Sequence, residues 1–142
     1  GSIGLSMAAK AREVIGIEIV PEAVECARAN AAANGIANAS FYCGDAGDTE
    51  ALFAAAENAR GKITPDVVIL DPPRKGCEEK LLRFLAARQI KSIVYISCGP
   101  DALARDAARL VFLGYRMSSV TPVDLFPRTG HVESVVLLSK ND

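Results

Sequence analysis

Four short runs along the chain, EVIGIEI (13–19), SFYC (40–43), DVVIL (66–70) and SIVYIS (92–97), alternate with stretches that carry helix signals. That alternation limits the fold more than any other feature. Glu13–Ile19, Ser40–Cys43, Asp66–Leu70 and Ser92–Ser97 are expected as strands, with Pro21–Asn34, Thr49–Ala59, Glu78–Ala87 and Asp101–Leu113 as helices between and after them. Pro21 suits a first helical turn, and Asn34-Gly35 and Gly114 suit helix stops. Continuously apolar strands separated by helices predict an α/β fold built on a parallel sheet with helices on both faces. Tyr115–Val123 and His131–Leu138 then follow as two strands with no helix between them, which predicts an antiparallel hairpin at the end.

The length, 142 residues, is that of one domain, and the whole of 1–142 is expected to form it. The formal net charge of −1 argues against holding nucleic acid by charge alone. No apolar stretch reaches membrane-span length and no signal peptide opens the chain, so no membrane partner is expected. Cys26, Cys43, Cys77 and Cys98 form no CxxC pair, which suits reduced thiols in a cytoplasmic protein better than a disulfide framework or a zinc site.

Several residues fall where chemistry is done in such folds. Gly1-Ser2-Ile3-Gly4, followed by a helical stretch at Leu5–Lys10, has the form of the second half of a glycine-rich loop. Gly-Ser also matches an expression remnant, and the spacing to Glu18 favours the native reading. Glu18 ends its strand, where a carboxylate accepts both hydroxyls of a ribose. An exposed strand-end carboxylate is the plain alternative. Asp45 follows the next strand and could meet an adenine amino group, or serve as an ordinary turn aspartate. Asp71-Pro72-Pro73-Arg74 makes a stiff turn at a strand's carboxyl end, the edge where open α/β sheets bind ligands. Enzymes that methylate exocyclic amines usually carry an aromatic residue where Arg74 stands.

Cys98 lies at the same edge, and a free cysteine is by default a small buried hydrophobe. Here it ends a strand and precedes a helix N-terminus that would stabilise a thiolate, with Gly99-Pro100 shaping the loop. Glu133 is a carboxylate near the entrance to an apolar strand, either exposed there or kept for a task. His131, the sole histidine, reads as a structural or turn residue rather than a metal ligand.

Together GSIG (1–4), GIEIVPEAVECARANAAANGI (16–36), DPPRKGC (71–77), YISCGPDALARD (95–106) and VDLFPRTGHVESVVLLS (123–139) resemble the RNA uracil-5 methyltransferase family, in its catalytic half. The resemblance implies a Rossmann-like methyltransferase sheet whose first strand is missing here, so that the chain is expected to be an N-terminally truncated catalytic domain. It implies S-adenosylmethionine as cofactor, contacted from the positions of Ser2, Glu18, Asp45 and Asp71. It implies Cys98 as nucleophile and Glu133 as general base, with Arg74 orienting Asp71 or steadying negative charge on the uracil. The implied partner is RNA, rRNA or tRNA, engaged by the full-length protein, with 23S rRNA foremost. The family's usual SCNP is SCGP here, which removes any contact made by the Asn side chain. An amine methyltransferase of RNA or DNA, a dinucleotide-dependent oxidoreductase, or a cofactor-binding fragment without activity are the competing readings.

Overall fold

The computed structural model describes residues 1–45 and 48–141. The chain divides into two compact units, Gly1–Ile63 and Thr64–Asp142. The described strands fall into a two-stranded sheet, β1-β2, and a four-stranded sheet of order β3-β4-β6-β5.

In the first unit, helix α1 (Ser2–Met7) runs into a 3-10 turn at Ala8–Lys10 and then strand β1 (Val14–Glu18). The helix starts earlier than the expected Leu5, because the Leu5 N–H already donates to the Gly1 carbonyl at 2.9 Å. Gly1 is thus the N-cap, and Ser2-Ile3-Gly4 is helical rather than loop. Asn38 fastens the entry to β1 by donating its amide to the carbonyls of Ala8 and Ala11, both at 2.9 Å.

Helix α2 (Pro21–Ala33) carries the chain to strand β2 (Ala39–Cys43), which pairs parallel with β1 from Val14↔Ala39 to Glu18↔Cys43. Proline at the first helical position has no N–H to leave unsatisfied. The helix ends at Gly35, whose φ of +64° closes the turn so that the Ile36 N–H reaches the Ala31 carbonyl at 2.9 Å. Val24, Ala27 and Ala31 recur at helical spacing and bury one face of α2 on Phe41. Helix α3 (Thr49–Arg60) follows.

The second unit runs β3 (Val67–Leu70), α4 (Glu79–Ala87), β4 (Ser92–Ser97), α5 (Pro100–Phe112), β5 (Tyr115–Val123) and β6 (Glu133–Lys140). β3 and β4 are parallel, whereas β6 runs antiparallel to both β4 and β5, as two consecutive strands without a helix demand. Both helices of this unit cover one face of the sheet. Leu81, Leu82 and Leu85 of α4 and Leu103 and Leu110 of α5 share a core with Ile93, Tyr95, Val136 and Leu138. The alternate residues of β4, Ser92, Val94 and Ile96, are half-buried.

β6 begins two residues later than expected, since the His131 N–H is taken by the Thr129 hydroxyl at 3.3 Å in the preceding turn. The edge strand β5 is exposed from Arg116 to Pro122, and its proline and the irregularity between Met117 and Ser119 both discourage pairing with another chain.

Candidate active site

In the first unit the expected cofactor positions gather at one end of the parallel pair. Glu18 is the last residue of β1, opposite Cys43, and the Gly44 N–H donates to the Glu18 carbonyl at 3.0 Å. Asp45 is the next residue, so both carboxylates stand at the carboxyl end of adjacent strands, and both are exposed. One Glu18 oxygen, Oε1, accepts the Val20 N–H at 3.0 Å, which turns the side chain back over its own strand end. A Cβ at Gly1 would strike Ala27 and Phe41, and one at Gly4 would strike Val14. Phe41 stands opposite Gly16, two steps along β1 from Val14, so α1 runs back along the strand and turns its Ser2 end towards the strand's carboxyl edge.

This donor set fits an adenosine-type cofactor. Two carboxylates at a parallel-strand edge accept hydrogen bonds from ribose hydroxyls and an exocyclic amine. The helix α1 lies close because glycines face its neighbours.

In the second unit, β3, β4 and β6 bring Asp71, Cys98 and Glu133 to one edge. Leu70 pairs with Tyr95 in the parallel ladder, so Asp71 leaves β3 beside the end of β4. In the antiparallel ladder Ser97 pairs with Ser134, and one further step along the same register sets Cys98 opposite Glu133. Directly opposite residues of an antiparallel pair project to the same face. Cys98 and Glu133 are half-buried and Asp71 is exposed. Glu133 is also paired with Val123 of β5, which fixes its backbone from the other side.

Gly99 is the N-cap of α5, so the Cys98 thiol stands just before the positive end of a 13-residue helix. The Ser97 hydroxyl holds this corner, accepting the Gly99 N–H and donating to the Gly99 carbonyl, each at 3.1 Å. A Cβ at Gly99 would lie 3.0 Å from the Arg74 carbonyl oxygen, so any larger residue here would push the Asp71–Arg74 turn away. Arg74 itself is exposed, and no ion pair joins it to Asp71 among the described residues.

A model of the tRNA (uracil-5-)-methyltransferase family matches residues 1–141. The chain belongs to that family. An uncharacterized RNA methyltransferase of Clostridium acetobutylicum is 46% identical over 142 residues, covering 100% of this chain and 30% of its own. One from Listeria monocytogenes is 48% identical over 141 residues, covering 99% of this chain and 30% of its own. The chain therefore spans about 30% of the length of the curated relatives it matches.

Among solved structures, the Pyrococcus abyssi tRNA (uracil-54, C5)-methyltransferase in complex with S-adenosyl-L-homocysteine superposes with a TM-score of 0.79 at 31% identity, over 97% of this chain and 31% of that one. An rRNA methylase from Streptococcus thermophilus, 12% identical with a TM-score of 0.68 over 97% of this chain and 79% of that one, shares the fold alone. The Rossmann-like methyltransferase fold expected from the sequence is the one observed, and membership of the uracil-5 family extends across both units.

Sequence reasoning missed one group of residues beside the site. Asp106, on the buried stripe of α5, is 2% exposed and accepts hydrogen bonds from Tyr95, Cys77 and Arg105. Burial pushes the Cys77 thiol up to about 11, and burial together with the Asp106 carboxylate pushes the Tyr95 hydroxyl well above the ordinary phenol range. Both groups stay protonated near neutrality, so Tyr95 serves as a donor and Cys77 is a poor nucleophile. The signal was present in the sequence, as a charged residue between Leu103 and Leu110 on an otherwise apolar helix face.

Proposed function

We propose that the protein carrying this chain methylates carbon 5 of a uridine in RNA, with Cys98 as nucleophile, Glu133 as general base and S-adenosylmethionine as methyl donor. The observation that carries this reading is the register of β4 and β6, which sets a thiol opposite a carboxylate at the sheet edge where Asp71 also emerges. Family membership supports the reaction class.

Carbon 5 of uracil is a weak nucleophile until a bond forms at carbon 6. The Cys98 sulfur, as thiolate, adds to carbon 6 and drives electrons through the ring to an enolate, which makes carbon 5 nucleophilic. When bound, S-adenosylmethionine supplies an electrophilic methyl group on its sulfonium. Glu133 then takes the proton from carbon 5, the carbon 6–sulfur bond breaks, and the ring double bond is restored with the Cys98 thiolate released. Glu133 passes its proton to solvent before the next turnover. We assign Arg74, exposed and in no ion pair with Asp71 among the described residues, to steadying the enolate charge.

Ser2, Glu18, Asp45 and Asp71 are the residues we assign to the cofactor, Glu18 to the ribose hydroxyls and Asp45 to the adenine amine. The target base must lie in a loop or be flipped out, because a stacked pair hides carbon 6. We place it in 23S rRNA, with tRNA as the alternative, and the reaction in the cytoplasm. Among the described residues no helix is long and apolar enough to cross a membrane. The resemblance of the motifs to both rRNA- and tRNA-modifying members supports an RNA partner, and mapping 5-methyluridine in both RNAs from cells lacking the gene tells them apart.

The covalent step is tested by incubating the complete protein with cofactor and RNA containing 5-fluorouridine. Fluorine cannot leave as a cation, so a methylated adduct on Cys98 accumulates and is mapped by mass spectrometry. An adduct on another residue, or none at all, overturns the reading. With ordinary RNA, Glu133→Gln should slow turnover by roughly 10²- to 10⁴-fold while the methylated adduct builds up. A loss of methyl transfer without that adduct assigns Glu133 to positioning.

A further inference from the structure

The turn that carries Asp71 and Arg74 is gripped from α5, and nothing in the covalent chemistry requires that grip. Asp106 Oδ2 accepts the Tyr95 hydroxyl at 2.6 Å and the Cys77 backbone N–H at 2.7 Å. Its other oxygen, Oδ1, accepts Arg105 Nε at 2.9 Å and Nη2 at 2.8 Å. The same Arg105 Nη2 donates to the Lys75 carbonyl at 2.8 Å. Between these two anchors lies Gly76, where a Cβ would sit 2.5 Å from both Arg105 Nη2 and Asp106 Oδ2, and whose φ is +82°. A second contact faces the nucleophile, for the Arg74 carbonyl abuts Gly99, the residue after Cys98.

If Asp106 only filled the core, a leucine would do as well, since a buried charge that is replaced by a packed apolar group often costs nothing. Instead, all of its bonds run to the 75–77 segment, directly or through Arg105, and to the strand that presents the nucleophile. Tyr95 lies three residues before Cys98 on that strand.

We infer that Asp106, acting through Arg105 and Tyr95, is a positioning residue that fixes the Arg74–Cys77 segment against the Cys98–Gly99 corner. It thereby sets where Asp71 and Arg74 stand relative to the attacking sulfur. The inference rests on the reading of Cys98 as nucleophile, and Asp106 itself touches no substrate. Asp106→Asn is the informative variant. Its oxygen still accepts from Cys77 and Tyr95, whereas its amide turns an NH₂ towards Arg105 and releases the fork on Lys75.

The test uses the complete protein carrying Asp106→Asn, Arg105→Ala or Arg105→Lys. Amide hydrogen exchange is followed in peptides covering 71–77 and 98–101, with 133–140 as the internal control. Asp106→Asn and Arg105→Ala should speed exchange in the first two by at least about tenfold and leave the control unchanged. In parallel, kcat for uridine RNA should fall by roughly 10- to 100-fold, with KM for RNA and cofactor within about threefold of wild type. Arg105→Lys should recover part of that loss. Unchanged exchange at 71–77 and 98–101, or unchanged kcat accompanied only by a lower Tm, overturns the proposal. If wild type fails to trap 5-fluorouridine RNA, the nucleophile assignment falls, and the exchange measurement alone then decides whether Asp106 holds the two loops.

Discussion

In the first unit the clustered buried side chains among the described residues are Val24, Ala27, Ala31 and Phe41, three of them small, under a sheet of two strands. In the second, thirteen buried residues, including Tyr95, Tyr115 and five leucines from α4 and α5, fill the space beneath four strands. The first unit achieves contact by removing atoms, since a Cβ at Gly16 would lie 2.5 Å from the Phe41 ring. The second achieves it by adding them and by satisfying the buried polar tips, as when the Tyr115 hydroxyl donates to the Ile90 carbonyl at 2.9 Å. The contrast fits the roles proposed for the two units. On the proposed reading, the first unit offers strand-end carboxylates to a ligand with many hydroxyls, whereas the covalent groups of the second need a backbone that does not shift under them. A two-stranded sheet is marginal by itself, so the first unit is expected to be the softer one.

The widest separation between the units should appear in kinetics. Cys98→Ser should lower methyl transfer by roughly 10⁴-fold or more while cofactor affinity stays near wild type, because the hydroxyl keeps the shape of the site and loses the nucleophile. Glu18→Ala should do the reverse, raising the cofactor KM by roughly 10- to 100-fold, the loss expected for one or two hydrogen bonds to a charged group, with kcat far less affected. Calorimetry with S-adenosylhomocysteine and single-turnover methylation separate the two. A Cys98→Ser protein that turns over normally, or a Glu18→Ala protein that loses kcat alone, breaks the division of labour.

Stability should divide along the same line. Leu110 is fully buried in the larger core, and Leu110→Ala should cost about 2–5 kcal/mol through lost burial and the cavity left behind. Gly16→Ala inserts one methyl against the Phe41 ring and should cost about 1–3 kcal/mol by overpacking. Urea unfolding of both variants, followed by hydrogen exchange in residues 1–45 and 64–141, shows where each loss falls. If Gly16→Ala loosens the second unit as much as the first, the two are not separate in energy.

The sequence made most elements legible because their signals are local. Pro21, Asn34-Gly35 and Gly114 mark helix ends with residues chosen for backbone reasons, and Ser92–Ser97 and Tyr115–Val123 emerged with the expected bounds. Errors arose where a local rule met a competing bond. Glycines suggested a loop at Ser2–Gly4, yet the Leu5-to-Gly1 hydrogen bond makes it helix, and Thr129 withholds His131 from β6. The candidate site was legible as types of residue at strand ends, whereas the pairing of Cys98 with Glu133 depends on a register between segments more than thirty residues apart. Asp106 stood out as a charge on an apolar helix face, but its partner was hidden for the same reason, since Cys77 is 29 positions away and offers a backbone N–H that no side-chain motif announces.

The smallest expected effect compares how a helix is stopped in each unit. α2 ends at Gly35 with φ +64°, and α4 ends in the same way at Gln89 with φ +56°. The bond patterns correspond, with Ile36 N–H to Ala31 at 2.9 Å in one and Ile90 N–H to Leu85 at 3.3 Å in the other. A side chain in the left-handed region crowds its own carbonyl, at a cost of about 1–2 kcal/mol that glycine does not bear. Gln89 offsets part of this by donating its amide to the Ala86 carbonyl at 3.1 Å. Gln89→Gly should therefore stabilise the protein by only about 0.5 kcal/mol, after allowance for the lost bond and the greater freedom of an unfolded glycine. Gly35→Ala should destabilise it by about 1 kcal/mol, through backbone strain alone, because nothing lies within 4 Å of a Cβ there. Urea midpoints at constant m-value measure both. Equal and opposite shifts would mean that the Gln89 amide contributes nothing, and destabilisation by Gln89→Gly would mean that it outweighs the strain.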